Sequence, residues 1–417
     1  MQVRAALTHR QPVADGVEPG ARVVSRRMAI REALRANPNV RISSEQVAQS
    51  RARVHQAVAL PEPQLDLSLL GDRAELRPGR PTETDLALGI TIPFPTKIVL
   101  QGRVARGELT GAVGDLELQR QLIVLQTNLA YDSLLVSLLH RRDLEEARTL
   151  AQRFLERTSA RFEAGTVPRL DVIKARVDVA QAENDLIANE VSVAGARVAL
   201  NRLLGRPLDA PIDAADTLVI PASLAPLDSL ESLAMDRRPE LRTVRGIRAG
   251  VDAAASLAHQ YFIPDVGVSI GRTSIYGEPR GFTTSIGFEL PLFPWQHERG
   301  EVAEAEHRQR ELDATYLDVV AQVGEDLRAA YSSASTARRQ AIYLRDELVP
   351  AASEAYRAVS ASYELGGTSA LEVLDAQRTL LDARTQYATA LAAANDAIAD
   401  LARATGVPAD DFNREVP

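Results

Sequence analysis

SYELGGTSALEVLDAQRTLLDAR, residues 362–384, occurs in this chain twice: residues 161–183 read RFEAGTVPRLDVIKARVDVAQAE. Phe162 aligns with Tyr363, Glu163 with Glu364, Gly165 with Gly366, Leu170 with Leu371, Asp171 with Glu372, Val172 with Val373 and Ala175 with Ala376. The offset of 201 residues recurs elsewhere. Pro38 answers Pro239, Pro63 answers Pro264, and Gly205-Arg206-Pro207 answers Gly406-Val407-Pro408. Between Pro93 and Pro291 the offset slips to 198, as a loop of different length would cause. The chain therefore reads as two tandem copies, 26–225 and 226–417, behind an N-terminal extension, 1–25, expected to be disordered. Repeats of this length are duplicated half-domains rather than solenoid units.

Inside each copy the hydrophobic period changes. In EPQLDLSLL, Leu65, Leu67 and Leu69 alternate with Gln64, Asp66 and Ser68, and TDLALGITI continues the alternation. In the second copy Val266, Val268 and Ile270 alternate with Gly267, Ser269 and Gly271, as do Ile286, Phe288 and Leu290 with Ser285, Gly287 and Glu289. Period two with one apolar face predicts strands over 63–71, 84–92, 264–272 and 281–290. The links GDRAELRPGRPTE and RTSIYGEPRGFT are rich in Gly, Pro and Arg and read as hairpin loops.

The remainder reads helical, with long helical hairpins over 98–204 and 296–405 whose tips are the glycine turns at 165 and 366. Leu118, Leu122, Leu125 and Leu129 step by four, three and four, a coiled-coil seam that Leu312, Tyr316, Val319 and Val323 repeat. A helix of about 65 residues runs roughly 100 Å. Each copy is thus a short helix, a β-hairpin and a very long antiparallel helical hairpin, a mainly α fold with four strands.

Composition narrows the function. Only 4% of the 417 residues are aromatic, which favours closely packed helices over a large globular core. The formal charge of −8 comes without a basic stripe, which argues against nucleic acid as a partner. There are no cysteines, so disulfides, thiolate metal sites and a lipid-modified N-terminal cysteine are excluded. The first 25 residues hold no apolar core of a signal peptide, leaving open a chain that is not exported and a sequence quoted without its export signal. No window approaches 18 uncharged apolar residues, so a bilayer would be crossed as a β-barrel.

Candidate chemistry is sparse. GVSIG at 267–271 matches a nucleophile-elbow pattern, but Ser269 lies within an alternating run rather than at a strand-to-helix turn. The six histidines show no ligand spacing. We expect no enzyme, no cofactor and no metal site. At the second tip Ser369 and Glu372 fit a capping box, and Pro168 and Asp171 suit the first turn of a helix at the first tip. Glu372 is thus readable as a plain cap, whereas Asp375, one turn further on, gains less from capping.

The duplicated order of parts, with FEAGTVPRLDV and YELGGTSALEVLDAQRTL at the tips and PLFPWQHERGEVAEAE after the last strand, resembles the TolC-like outer-membrane efflux proteins over residues 26–407. It is most similar to their heavy-metal and cation efflux branch. The resemblance implies a homotrimer in which each protomer lends four strands to a twelve-stranded barrel in outer-membrane lipid, above a periplasmic α-helical tunnel. It implies a periplasmic adaptor on the tips, at Gly165, Thr166, Val167 and Pro168 and at Gly366, Gly367, Thr368 and Ser369. It further implies an inner-membrane pump of the resistance-nodulation-division type. A periplasmic gate would use Asp171, Tyr363, Glu372 and Asp375, with Tyr363 reaching towards Asp171 and the two acids facing the lumen. The basic residue the family often carries in its YxxGxR tip pattern is Thr368 here. The function implied is passive conduction of metal cations or small molecules to the exterior. The other reading of the residues is a soluble periplasmic coiled-coil adaptor or structural protein, which leaves four apolar strand faces without a role.

Overall fold

The computed structural model describes residues 21–70, 83–221, 223–275, 277–288 and 298–407. Most of the first expected hairpin loop, the end of the fourth expected strand and the PLFPWQH segment lie outside the described residues, as does most of the N-terminal extension. In chain order the elements are β1 (Arg22–Val24), α1 (Arg26–Ala36), α2 (Pro38–Ala57), β2 (Gln64–Leu70), β3 (Glu83–Ile92), α3 (Pro95–Glu163) and α4 (Arg169–Leu203). Then follow β4 (Ile212–Ala214), α5 (Leu227–Arg237), α6 (Pro239–Ala258), β5 (Val266–Ile275), β6 (Glu278–Phe288), α7 (Glu298–Tyr343), α8 (Val349–Glu364) and α9 (Ala370–Ala404). Two compact units divide the chain, one from 1–42, 117–238 and 321–417, the other from 43–116 and 239–320. Each unit draws on both sequence copies.

The short helix expected at the head of each copy is two helices. Asn37 and Arg238 precede Pro38 and Pro239, and a residue before proline is pushed out of the helical region. Both take extended ψ values, 126° and 125°, which ends α1 and α5. Each then reaches the end of its copy's last helix: Asn37 Nδ2 donates to the Leu203 carbonyl at 2.9 Å, and Arg238 Nη1 to that of Arg403 at 3.4 Å.

The first unit has its main core around α3, where Ile123, Tyr131, Leu134 and Leu135 meet Leu200, Leu203, Ile212 and Val24. One expectation is corrected here, and the direction of a second feature is settled. Arg22–Val24, assigned to a disordered extension, forms β1 and pairs in parallel with β4, burying Val24. The leucine seam of α3 does not face inward in the protomer: Leu122 and Leu129 are 41% and 40% exposed. The buried stripe is the neighbouring one, Ile123, Thr127, Tyr131 and Leu134, because β1 and α4 pack there. α3 also carries one 18-residue window apolar enough, by length and composition, to cross a membrane. Half of that window is buried inside the protein, so its apolarity serves packing.

Opposite the continuous α3, the second copy has a π-helical turn, Leu344–Leu348, where the amide of Val349 donates to the Leu344 carbonyl. Pro350 explains it. Proline has no amide and its ring crowds the carbonyl four residues back, so the ladder upstream widens. Thr149, its counterpart, allows α3 to run on.

A polar cluster crosses the first core. Arg26 forms a two-pronged ion pair with the fully buried Asp132. The Arg26 amide donates to Asp216 Oδ2 at 2.6 Å, and the Tyr131 hydroxyl bonds the Val24 carbonyl at 2.9 Å. Asp396 of α9 joins this cluster, its carboxyl set against that of Asp132. Burial, then the charge of Asp132, pushes the Asp396 carboxyl up from 3.8 to about 7. The fold thus favours protonated Asp396; that contribution is full below pH 3.8 and is lost as pH rises through about 7. Asp396→Asn cannot ionise and is expected to unfold later than the parent at pH 8, by on the order of 2 kcal/mol after screening by solvent. At pH 4 the two should match. Thermal unfolding at both pH values checks this; a gap that does not widen with pH refutes the assignment.

The second unit carries an antiparallel sheet of order β2-β3-β5-β6. β5 and β6 run through most of the stretch read as a loop, turning tightly at Gly277 with φ 85°. Arg272, Thr273 and Ser274 continue the alternation before a register shift at Thr273/Ser274.

Candidate functional site

At the tips, in the first unit, both turns are helix C-caps closed by glycine. Gly165 and Gly366 have φ values of 74° and 79°, the left-handed conformation a side chain disfavours. Thr166 N donates to the Arg161 carbonyl and Gly367 N to that of Ser362, each at 2.9 Å, so the two turns are closed alike. Pro168 sits one place earlier than the first turn expected for it, as the N-cap of α4. Ser369 caps α9, accepting from Glu372 N at 3.4 Å while its hydroxyl donates to Glu372 Oε1 at 3.0 Å. Glu372 therefore does serve the cap.

Around these turns α3, α4, α8 and α9 share a small core of Phe154, Ala175, Tyr363, Ala370, Val373 and Leu374. Tyr363 is only 5% exposed. Its ring lies 5.3 Å from that of Phe154, and its hydroxyl faces Thr158 Oγ1 at 3.4 Å. The reach towards Asp171 is not among the hydrogen bonds of the protomer; Asp171 is half-buried in the first turn of α4. Glu372 and Asp375 are exposed and head a polar stripe on α9 that continues through Thr379, Asp382 and Gln386. Two turns below the tip, buried Asp178 of α4 accepts from Gln377 Nε2 at 3.3 Å. Burial raises the Asp178 carboxyl, against the opposing effects of Arg378 and of that hydrogen bond. Sequence reading missed this pair, since neither residue stands in a motif.

In the second unit the four strands align their apolar residues in rows. Ile92, Val266 and Phe288 form one, Ile90, Val268 and Ile286 the next, then Leu65, Leu88 and Ile270, and last Leu67, Leu86, Arg272 and Phe282. Most of these side chains are exposed, Phe282 by 80%. The reverse face is small and polar; there Ser269 Oγ lies 2.6 Å from Ser285 Oγ across the β5–β6 pair, in mid-strand. Among the described residues, β2 and β6 are edge strands.

Long duplicated helical hairpins in the first unit and a four-stranded sheet with one exposed apolar face in the second are the parts that define the class. The chain belongs to the outer membrane efflux protein family, whose model matches residues 29–206 and 230–407. It is 26% identical over 361 residues to the cobalt-zinc-cadmium resistance protein CzcC of Cupriavidus metallidurans, covering 84% of this chain and 82% of that one. To the pyoverdine export outer membrane protein OpmQ of Pseudomonas putida it is 25% identical over 370 residues, covering 82% and 76%. Its fold matches the Campylobacter jejuni CmeC outer membrane channel with a TM-score of 0.77 at 17% identity, over 91% of this chain and 85% of that one. The protein is an outer-membrane efflux channel that extends into the periplasm, which sets aside the soluble adaptor.

Proposed function

We propose that three copies join their sheets, edge β2 of one to edge β6 of the next, into a twelve-stranded barrel whose apolar rows meet outer-membrane lipid. The observation that carries this reading is the exposed apolar face on a sheet with two open edges. Four strands cannot close a barrel alone. A second apolar stripe supports association of copies along the helices: Leu170, Ile173, Val177, Ile187, Val191 and Val198 of α4 are all exposed. The repeats 26–225 and 226–417 would each supply two strands and one helical hairpin per protomer.

Below the barrel the hairpins would form the periplasmic tunnel. The turns at Gly165–Pro168 and Gly366–Ser369 would be its ends, six per trimer, offered to a periplasmic adaptor that links the channel to an inner-membrane pump of the resistance-nodulation-division type. No reaction is catalysed and no cofactor is needed. The cargo class is metal cations or small molecules, in keeping with CzcC as a cobalt-zinc-cadmium resistance protein and OpmQ as a pyoverdine export protein.

Glu372 and Asp375 would form stacked acidic rings at the gate, beside Asp171 and Tyr363. Rings of carboxylates attract cations and exclude anions. In planar bilayers, Glu372→Ala with Asp375→Ala is expected to lower the cation-to-anion permeability ratio about twofold or more and to weaken block by divalent cations. Unchanged selectivity and block would return Glu372 to helix capping alone.

A further inference from the structure

The two tips share a sequence pattern, yet the contacts between them are one-sided. α3 ends in Arg157 and Arg161, and the matching positions of the second copy are Ala358 and Ser362. Both arginines reach the last turn of α8. Arg157 Nη1 lies 2.5 Å from Glu364 Oε1, and Arg161 Nη1 donates to the Tyr363 carbonyl at 2.5 Å. The Arg161 guanidinium also covers the Tyr363 ring, 4.7 Å from its centroid. Its Nη2 lies 3.9 Å from the place a Cβ would take on Gly366.

Three stabilising effects converge on that one residue. It donates to a carbonyl at a helix C-terminus, where a positive charge is favoured. It stacks on an aromatic face. And its own backbone is held by the first tip, because the Arg161 carbonyl accepts from Thr166 N and from Thr166 Oγ1, both at 2.9 Å. Arg161 thus belongs to one glycine turn and grips the other.

We infer that Arg161, supported by Arg157, is the clasp that holds the second tip shut against the first, and that opening the channel requires its release. The inference rests on the reading of these tips as the gate. It assigns Arg161 as a positioning residue, acting through Tyr363. It also gives the chain a cationic tie at the gate although position 368 is threonine: the charge is supplied from α3, across the tip.

The test is single-channel recording of trimers reconstituted in planar bilayers, with folding checked by circular dichroism and trimer elution. Arg161→Gln is expected to raise the time spent in the high-conductance state at least about fivefold, the loss expected when a desolvated cation–aromatic contact goes. Arg161→Lys, which keeps the charge but not the planar stack, should fall between. Adding Tyr363→Leu to Arg161→Gln should open the channel no further than either change alone, because both remove the same clasp. Arg157→Glu should raise conductance, and pairing it with Glu364→Arg should restore the parent. Parental gating in Arg161→Gln, or additive effects in the double variant, overturns the clasp. Ion selectivity of Glu372→Ala with Asp375→Ala, read on channels that keep Arg161, tests the acidic rings separately.

Discussion

Arginine introduced together at Leu67, Leu88, Val268 and Ile286 is expected to abolish assembly of the channel in the outer membrane. The four positions lie on one face of the sheet, spread over three strands beside one another and the fourth, β6. Each arginine on a lipid face near mid-bilayer costs about 2–4 kcal/mol, falling towards zero at the interfaces. Depth matters, and the structure supplies it through the rows. Val268 and Ile286 share a row one step in from the Ile92–Val266–Phe288 end, while Leu67 shares the last row with Arg272. That row already accommodates one arginine, so Leu67→Arg should be the mildest of the four singles and Val268→Arg among the most severe. The control is Asp66→Arg, whose side chain stands on the polar face of the same strand and which should assemble. Heat-modifiable trimers in isolated outer membranes give the readout. If the quadruple variant assembles as the parent does, the apolar face is not turned to lipid.

What the sequence reveals and what it hides divides along lines of range. Alternation at Leu65–Leu69 or Val266–Ile270 is a local property, written into consecutive residues, so the four strands are legible without any partner. The turns are equally local: a glycine after a long apolar-periodic run, with Thr166-Val167-Pro168 or Gly367-Thr368-Ser369 behind it, announces a left-handed cap, and both Gly165 and Gly366 adopt it. β1 is different. Three residues carry no period, and Arg22–Val24 is a strand only because Ile212–Ala214 lies beside it, nearly 190 residues later.

The α3 seam fails for another reason. Leu118, Leu122, Leu125 and Leu129 do step as a coiled coil, but Ile123, Thr127, Tyr131 and Leu134 step as well, one to two residues further along. Periodicity finds both stripes and cannot say which meets the protomer's own core. A helix apolar on two faces buries only one of them in this protomer's core. Pro350 signals the π turn, but the helical pattern that continues through it masks the signal. The clasp was half legible: Arg161 over Ser362 breaks the duplication, but only the folded tip shows that its side chain crosses to Tyr363.

The duplication itself can be tested by glycines that are not at the tips. Gly205→Ala and Gly406→Ala are each expected to cost roughly 2–5 kcal/mol, from left-handed strain of about 1–2 and overpacking of about 1–3. Gly205 ends α4 with φ 65° and Gly406 ends α9 with φ 74°. A Cβ on Gly205 would fall 2.6 Å from the Ala36 carbonyl oxygen; one on Gly406 would fall 2.8 Å from the Arg237 carbonyl carbon and the Arg238 nitrogen. These are the same contact made twice, the closing turn of each copy's last helix pressed on the end of its first. Both obstacles are backbone, so neither can swing aside as a flexible side chain would. Gly165→Ala isolates the strain: its φ is 74°, yet nothing lies within 4 Å of the added carbon. It should therefore lose only the left-handed penalty, about 1–2 kcal/mol. Unfolding of the purified protein in detergent should rank Gly165→Ala well above the other two, with Gly205→Ala and Gly406→Ala lowered by similar amounts. Equal loss in all three variants would mean that the close approach of the helix ends carries no energy, and that the two copies share a turn without sharing the packing it serves.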